Sequence, residues 1–313
     1  MSTYLVTGGA GFIGSNIIAE LVRRGEKVRA LDNLATGHIE NLASVREKIQ
    51  WHEADIRNLE SIRPDFESVD YVIHLAAIPS VPRSVADPLT SNSANIDGTL
   101  NVLLAARDAG VKRVVFSASS SAYGDHSALP RLESQEPRPL SPYALTKLTG
   151  EYYCKIFTSV YGLQTASLRY FNIFGPHQSP DSPYSGVLSL FISAYVNGKT
   201  PTIFGDGEQS RDFTYVENAV DATLRACTAP KASGQVINVG TGERHTLNET
   251  IKILDRIFGR QVTPRYEAPR AGDVEHSHAD ISLARRLLGY EPGVRFEEGL
   301  MKTVAWFRSS PAS

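Results

Sequence analysis

Residues Tyr4-Leu5-Val6-Thr7-Gly8-Gly9-Ala10-Gly11-Phe12-Ile13-Gly14 decide the fold. A β-branched apolar run, a glycine-rich turn and helix-spaced apolar residues from Phe12 to Arg24 describe a strand that turns tightly into a helix. Gly8, Gly11 and Gly14 recur at three-residue intervals. In such a turn the first glycine permits the bend, the second lets backbone approach a pyrophosphate, and the third lets helix and sheet pack closely. The helix N-terminus then presents free N–H groups and the positive end of its dipole to an anion.

Spaced glycines alone are a weak signal, and what surrounds them strengthens this one. Asp32 closes the next strand, Lys27 to Asp32, 18 residues beyond Gly14. An acid there accepts hydrogen bonds from the ribose hydroxyls of a dinucleotide and repels a 2′-phosphate, so NAD is the expected cofactor rather than NADP. Phe12 and Ile13 in the turn, Asn33 beside Asp32, and Asp55-Ile56 after the third strand fall on the same expected wall.

Further out, Gln50 to Asp55, Tyr71 to Leu75, Arg113 to Ser117 and Gln164 to Phe171 read as strands. Ile39 to Ile49 and Gly98 to Ala109 read as helices between them. This alternation predicts an α/β fold with a doubly wound parallel (Rossmann) sheet. Glycine and proline cluster in 175–183 and 264–273, while Val236 to Gly240 reads as a return to the sheet. A smaller, discontinuous α/β substrate domain is therefore expected, 171–211 plus 241–308, beside a cofactor domain of 1–170 plus 212–240.

Composition removes other classes. The 313 residues are 42% apolar, enough for sizeable cores, and 32 Lys+Arg against 34 Asp+Glu leave a net charge of -2 with no basic stripe. No nucleic acid, membrane or metal is expected. Cys154 and Cys227, each within an apolar stretch, read as buried thiols in a reducing, cytoplasmic setting.

Ser141-Pro142-Tyr143-Ala144-Leu145-Thr146-Lys147 starts a second informative helix, with a serine N-cap and proline in its first turn. Tyr143 and Lys147 share a face, from which the ammonium is expected to lower the phenol pKa and make Tyr143 a base near pH 7. Tyr and Lys at this spacing also occur on ordinary amphipathic helices. Phe116 to Gly124, however, ends a strand on the ligand-binding edge of such a sheet, where Ser119 can share a substrate oxygen with Tyr143.

With these motifs the chain resembles an extended short-chain dehydrogenase/reductase, and more narrowly the UDP-hexose 4-epimerases. The resemblance runs from the glycine loop to about Trp306. Leu168 to Asn172, Phe204 to Phe213 and Pro269 to Asp273 resemble the segments that hold a nucleotide-sugar diphosphate and its uridine. Substrate contacts are thereby implied for Ser119, Ser121, Tyr143, Asn172, Val187, Leu188, Thr202, Phe204, Arg211, Arg270, Asp273 and Ser277. Leu75, Ala76, Ala77, Asn95, Tyr143, Lys147 and Tyr170 are implied to contact NAD. Arg211 and Arg270 are the forked donors a diphosphate suits.

Gly124-Asp125-His126, Ser182 to Gly186 and Gly272 to Asp280 resemble the UDP-N-acetylglucosamine branch. There the position of Ser277 walls the sugar pocket, and a small residue implies room for an acetamido group at C2. The resemblance implies NAD-dependent C4 epimerisation of UDP-GlcNAc/UDP-GalNAc as well as UDP-Glc/UDP-Gal, by a homodimer built through the helices Gly98 to Ala109 and Tyr143 to Tyr161. Related dehydratases use an Asp-Glu pair where this chain has Ser120 and Ser121, and related decarboxylases a Glu at the latter. Both are disfavoured. A UDP-glucose 4-epimerase restricted to non-acetylated sugars, a UDP-glucuronate 4-epimerase, and a non-catalytic NAD-binding sensor stay open as alternatives.

Overall fold

The structure is a computed structural model that describes residues 1–179, 186–269 and 274–309. Seven strands form its main sheet: β1 (Thr3–Thr7), β2 (Lys27–Asp32), β3 (Gln50–Glu53), β4 (Tyr71–His74), β5 (Arg113–Ser119), β6 (Thr165–Tyr170) and β7 (Gln235–Val239). All pair in parallel in the order β7-β6-β5-β4-β1-β2-β3. The chain leaves β1 toward β2 on one side, whereas β4 lies on the other. That reversal opens a crevice at the C-terminal ends of β1 and β4, where ligands bind in such sheets.

The helices of ten residues or more are α1 (Phe12–Arg23), α2 (Gly98–Asp108), α3 (Pro142–Tyr161), α4 (Val187–Val196), α5 (Val216–Thr228), α6 (Leu247–Phe258) and α7 (Phe296–Ser309). Alternation along the strands supplies both faces of the sheet with apolar side chains. Val6, Ile73 and Val115 pack with α1 and α5, while their neighbours Leu5, Val72 and Val114 pack with α2 and α3. The first of these cores continues into α4, α6 and α7, so the sheet and the C-terminal elements share buried surface. Cys154 and Cys227 are buried free thiols.

After β6, three two-stranded pairings lie beyond the main sheet among the described residues. Ile173–Phe174 joins Thr214–Tyr215, Thr202–Phe204 joins Arg265–Glu267, and Ser210–Arg211 joins His245–Thr246 in antiparallel sense. Among the described residues no helix is long and apolar enough to cross a membrane.

One expected helix is absent. Ile39 to Ile49 forms two short 3₁₀ turns, Ile39–Leu42 and Arg46–Lys48. Ile39, Leu42 and Val45 inward at intervals of three fit the 3₁₀ period of 3.0 residues, and the segment is tied to the glycine loop through His38 N–H and Asn41 Nδ2, both donating to the Ala10 carbonyl.

Candidate active site

A cavity of about 580 Å³ occupies the crevice, well inside the range of small-molecule sites. Its floor is the glycine loop. Gly8 has φ +72, and a Cβ there would stand 2.6 Å from the Ala76 nitrogen. At Gly14 a Cβ would stand 2.2 Å from the Gly8 carbonyl oxygen. Gly11 faces the cavity, and a Cβ there would meet only that same carbonyl. Backbone can thus approach a phosphate at the start of α1, which is the cradle a dinucleotide requires.

Asp32 lines the cavity with its carboxylate fixed from behind. Its Oδ2 accepts the Ala10 N–H at 3.0 Å and its Oδ1 the Leu34 N–H at 2.9 Å. Burial pushes this carboxyl up, and the backbone N–H groups around it oppose that shift. Asp55 is handled differently. Arg57 at 2.7 Å holds its carboxyl down to about 2, and Asn33 Nδ2 donates to it at 2.9 Å. Asp32→Ala should weaken NAD by about 10- to 100-fold, since a hydrogen bond to a charged group is worth roughly 1.5–3 kcal/mol, and should narrow the preference over NADP. Calorimetric titration of both dinucleotides is the check. Wild-type protein that binds NADP as tightly as NAD contradicts this role for Asp32.

Ser119 ends β5 and Tyr143 opens α3, whose start is set by the Ser141 Oγ accepting the Ala144 N–H at 3.1 Å and by Pro142 in the first turn. Both face the cavity with Lys147. The Ser119 Oγ accepts from Ser121 Oγ at 2.8 Å and from Ser121 N–H at 3.2 Å, so its own proton is available to the Tyr143 oxygen or to a substrate oxygen. Lys147 Nζ donates to the Ser117 carbonyl at 2.8 Å and lies 5.1 Å over the Phe116 ring.

The expectation that Lys147 lowers the Tyr143 phenol needs correcting here. Burial is the larger influence and pushes the phenol up, with the Ser119 hydrogen bond pulling the other way. The amine of Lys147 is itself drawn down to about 8 by burial, and its hydrogen bond is directed to the strand carbonyl. A buried acid keeps its proton until a compensating positive charge arrives. NAD held in the cradle would bring that charge in its oxidised ring and would be the hydride acceptor.

On the other side of the cavity, Asn172 has φ +40, a left-handed backbone that Asn tolerates better than most residues. Its Nδ2 donates to the Asp212 carbonyl at 3.0 Å and to Ser277 Oγ at 3.1 Å. The Asp212 carboxylate, fully buried, accepts from Thr241 N–H and Oγ1, Gly242 N–H and Ala279 N–H. This clip draws the loops at 241 and 279 together and seats Ser277 against Asn172.

The cavity wall also includes Gly8, Phe12, Ile13, Ile56, Leu75, Ala76, Ala77 and Tyr170. Other positions lie off that wall. Ser121 stands behind Ser119, Thr202 and Phe204 lie on a peripheral strand, and Val187 starts α4. The Leu188 side chain is part of the core. Arg211 Nη1 donates to the Ser210 and Glu275 carbonyls. Asn95 is buried away from the cavity with its amide spent on Ile78 and Thr146. Arg270 and Asp273, with Ser182 to Ser185, lie outside the described residues. Sequence reasoning did not single out Arg57, Arg83, Thr90 or Gln178 on the wall. Arg57, adjoining Asp55-Ile56, and Gln178, within the 175–183 cluster, carried a signal in the chain.

Comparison with known proteins agrees with this geometry. The profile of the NAD dependent epimerase/dehydratase family matches residues 4–240. The solved UDP-N-acetylglucosamine 4-epimerase of Methanobrevibacter ruminantium, in complex with UDP-N-acetylmuramic acid, is 41% identical over 98% of both chains with a TM-score of 0.94. The UDP-glucose 4-epimerase of Thermotoga maritima, solved with UDP-glucose, is 40% identical over 98% of both chains at 0.93. A UDP-glucuronate 4-epimerase of Thermodesulfobacterium geofontis is 36% identical over 99% of this chain and 97% of its own length. With a glycine cradle that fits a dinucleotide and a family profile spanning most of its length, this chain belongs to the NAD dependent epimerase/dehydratase family.

Proposed function

We propose that the protein is a UDP-sugar 4-epimerase that uses NAD and accepts UDP-GlcNAc/UDP-GalNAc as well as UDP-Glc/UDP-Gal. The observation that carries this reading is the convergence of Ser119, Tyr143 and Lys147 on the glycine-cradled cavity, with Ser120 and Ser121 beside them instead of acids. Tyr143 takes the proton from the C4 hydroxyl, Ser119 holds that oxygen, and Lys147, anchored on the Ser117 carbonyl, stands on the same cavity wall. The C4 hydride would pass to NAD held in the cradle, and the 4-keto sugar would turn in the pocket and regain that hydride on its other face, with the proton returned from Tyr143. No elimination follows, because serines stand at 120 and 121, where an acid would be needed to expel water from C5 and C6.

The wider reading assigns 1–170 plus 212–240 to NAD and 171–211 plus 241–308 to the UDP-sugar. A reducing cytoplasm suits the two free buried thiols. The experiment is purified protein incubated with UDP-Glc, UDP-GlcNAc and UDP-glucuronate and followed by NMR. Interconversion within both neutral pairs without net NADH is expected. Turnover of UDP-glucuronate alone would make the protein a UDP-glucuronate 4-epimerase, UDP-Glc alone a restricted epimerase, and NAD binding without turnover a sensor.

The same reading includes a homodimer. Leu145, Tyr152, Ile156 and Val160 are exposed by 52%, 51%, 48% and 67% and form one stripe along α3, away from the sheet. Four large apolar residues at helical spacing suit a helix-to-helix contact. Leu103 and Phe157 belong to the protein's own core and take no part. Light scattering at micromolar concentration should give twice the chain mass, and Ile156→Asp should give a monomer. A wild-type monomer refutes the contact.

A further inference from the structure

A file of buried hydrogen bonds joins the glycine loop to the catalytic turn of α3. Thr7, His74, Thr99, Asn95 and Thr146 are each no more than 3% exposed. Thr146 Oγ1 donates to the Tyr143 carbonyl at 2.8 Å, and Asn95 Nδ2 donates to Thr146 Oγ1 at 3.0 Å. The Asn95 carbonyl accepts Thr99 Oγ1 at 2.6 Å. With that proton committed, Thr99 Oγ1 can only accept from His74 Nε2, 3.0 Å away. The imidazole therefore carries its proton on Nε2, and its Nδ1 accepts from Thr7 Oγ1 at 2.7 Å. Thr7 Oγ1 in turn accepts the Ala76 N–H at 3.4 Å. The donations run in one sense from Ala76 to Tyr143.

Its two ends are the two halves of the reaction geometry. Thr7 precedes Gly8, and Ala76 presses against the Gly8 position. Along its length Asn95 also grips Ile78, whose N–H donates to Asn95 Oδ1 at 2.8 Å and whose carbonyl accepts Asn95 Nδ2 at 3.3 Å. The cavity strip Leu75 to Ile78 is therefore held at both ends between cradle and base. Asn95 sits in a π-helical turn, Ser93–Asp97, the kind of helix irregularity that marks functional sites.

Resting on the proposed epimerase reading, we infer that Thr7, His74, Thr99, Asn95 and Thr146 are positioning residues that fix the distance between the glycine cradle and Tyr143, and so the registry of sugar C4 with the dinucleotide. None lines the cavity. A displacement of the base by a fraction of an ångström acts on the chemical step and leaves binding alone.

The test uses Thr99→Val and Thr146→Val, which keep shape and remove a hydroxyl, with Thr99→Ser and Thr146→Ser as partners. Turnover number and KM are measured on the UDP-sugar that the wild type epimerises, and NAD affinity is titrated by calorimetry on protein stripped of cofactor. Both Val variants should lose 10- to 100-fold in kcat, with KM and NAD affinity within twofold of wild type, and both Ser variants should recover most of the loss. Val variants with kcat within twofold of wild type overturn the inference, as do Ser variants impaired as severely as Val, which would trace the loss to packing. If Thr99→Val does not fold, the Thr146 pair decides by the same criteria. Wild-type protein inert toward all UDP-sugars would instead refute the epimerase reading, while NAD affinity unchanged in wild-type and Val proteins would still separate that failure from a broken cradle.

Discussion

Tyr143→Phe should retain NAD and lose about three orders of magnitude in kcat, the scale on which a general base contributes. The phenol oxygen is the one atom deleted. The ring still fills its place on the cavity wall, and α3 still begins at the Ser141 cap. Nothing in the glycine cradle is touched, so dinucleotide affinity is the internal control. The variant also leaves Ser119 without the oxygen toward which its proton is directed. Because burial holds the wild-type phenol proton on, activity should be present at high pH and fall as pH drops through the pKa of the base in the liganded enzyme. Single-turnover kinetics, with NAD content measured on the same samples, check both halves. A near-normal rate in Tyr143→Phe would remove this residue from the mechanism.

Ser277→Tyr should separate two substrate classes. Ser277 Oγ lies 3.1 Å from the Asn172 amide, and Asn172 is on the cavity wall, so a side chain growing from 277 enters the space next to Asn172. The loop that carries it cannot simply retreat. The Asp212 N–H donates to the Ser277 carbonyl at 2.8 Å, and the Asp212 carboxylate holds Ala279 two residues further on. Steric exclusion from a braced pocket discriminates by more than an added attraction would. Turnover of UDP-GlcNAc should fall by at least about 100-fold, while UDP-Glc stays within a few-fold. Equal losses on both sugars, or a wild type inert toward UDP-GlcNAc, would leave Ser277 as a loop hydroxyl and a plain UDP-glucose 4-epimerase as the better description.

What the chain disclosed in advance follows from where each constraint resides. A backbone that bends at Gly8 and abuts itself at Gly14 admits no side chain, so the requirement appears as residue type at fixed spacing. The cap at Ser141 and the Tyr143 to Lys147 spacing are likewise local. Ile39, Leu42 and Val45 satisfied a helical reading and a 3₁₀ reading alike, and only the tether to Ala10 decides between them. The protonation of Tyr143 depends on how much protein surrounds it, which spacing does not encode. Partners 67, 25 and 51 positions apart, as along Thr7, His74, Thr99, Asn95 and Thr146, are invisible until the strands are stacked. Asp212 is similar, since its carboxylate gathers donors from two loops remote in sequence.

The burial of His74 also sets how the fold meets acid. Desolvation pulls the imidazole from its ordinary 6.5 down to about 3. Between those values the unfolded chain takes up a proton that the native chain refuses, so the linkage sign makes stability rise with pH. The contribution is complete above about pH 6.5 and drains away toward pH 3 at close to 1.4 kcal/mol per unit. His177, also drawn down by burial, acts in the same direction. Glu20 and Asp55, both held to about 2 by arginines, begin to respond only as pH falls into the ordinary carboxylate range, whereas Asp32, Glu133 and Asp212, pushed up by burial, take up protons more readily in the native chain and act in the opposite direction. The difference in urea stability between wild type and His74→Asn should therefore change by roughly 1.5 kcal/mol between about pH 6.5 and 5, the wild type losing more. A difference between wild type and His74→Asn that stays constant across the interval would mean that His74 is protonated as readily in the native chain as outside it. An imidazole sealed between two threonines thus acts as an acid fuse: mild acidification loosens the molecule from its centre, well before its surface ion pairs are touched.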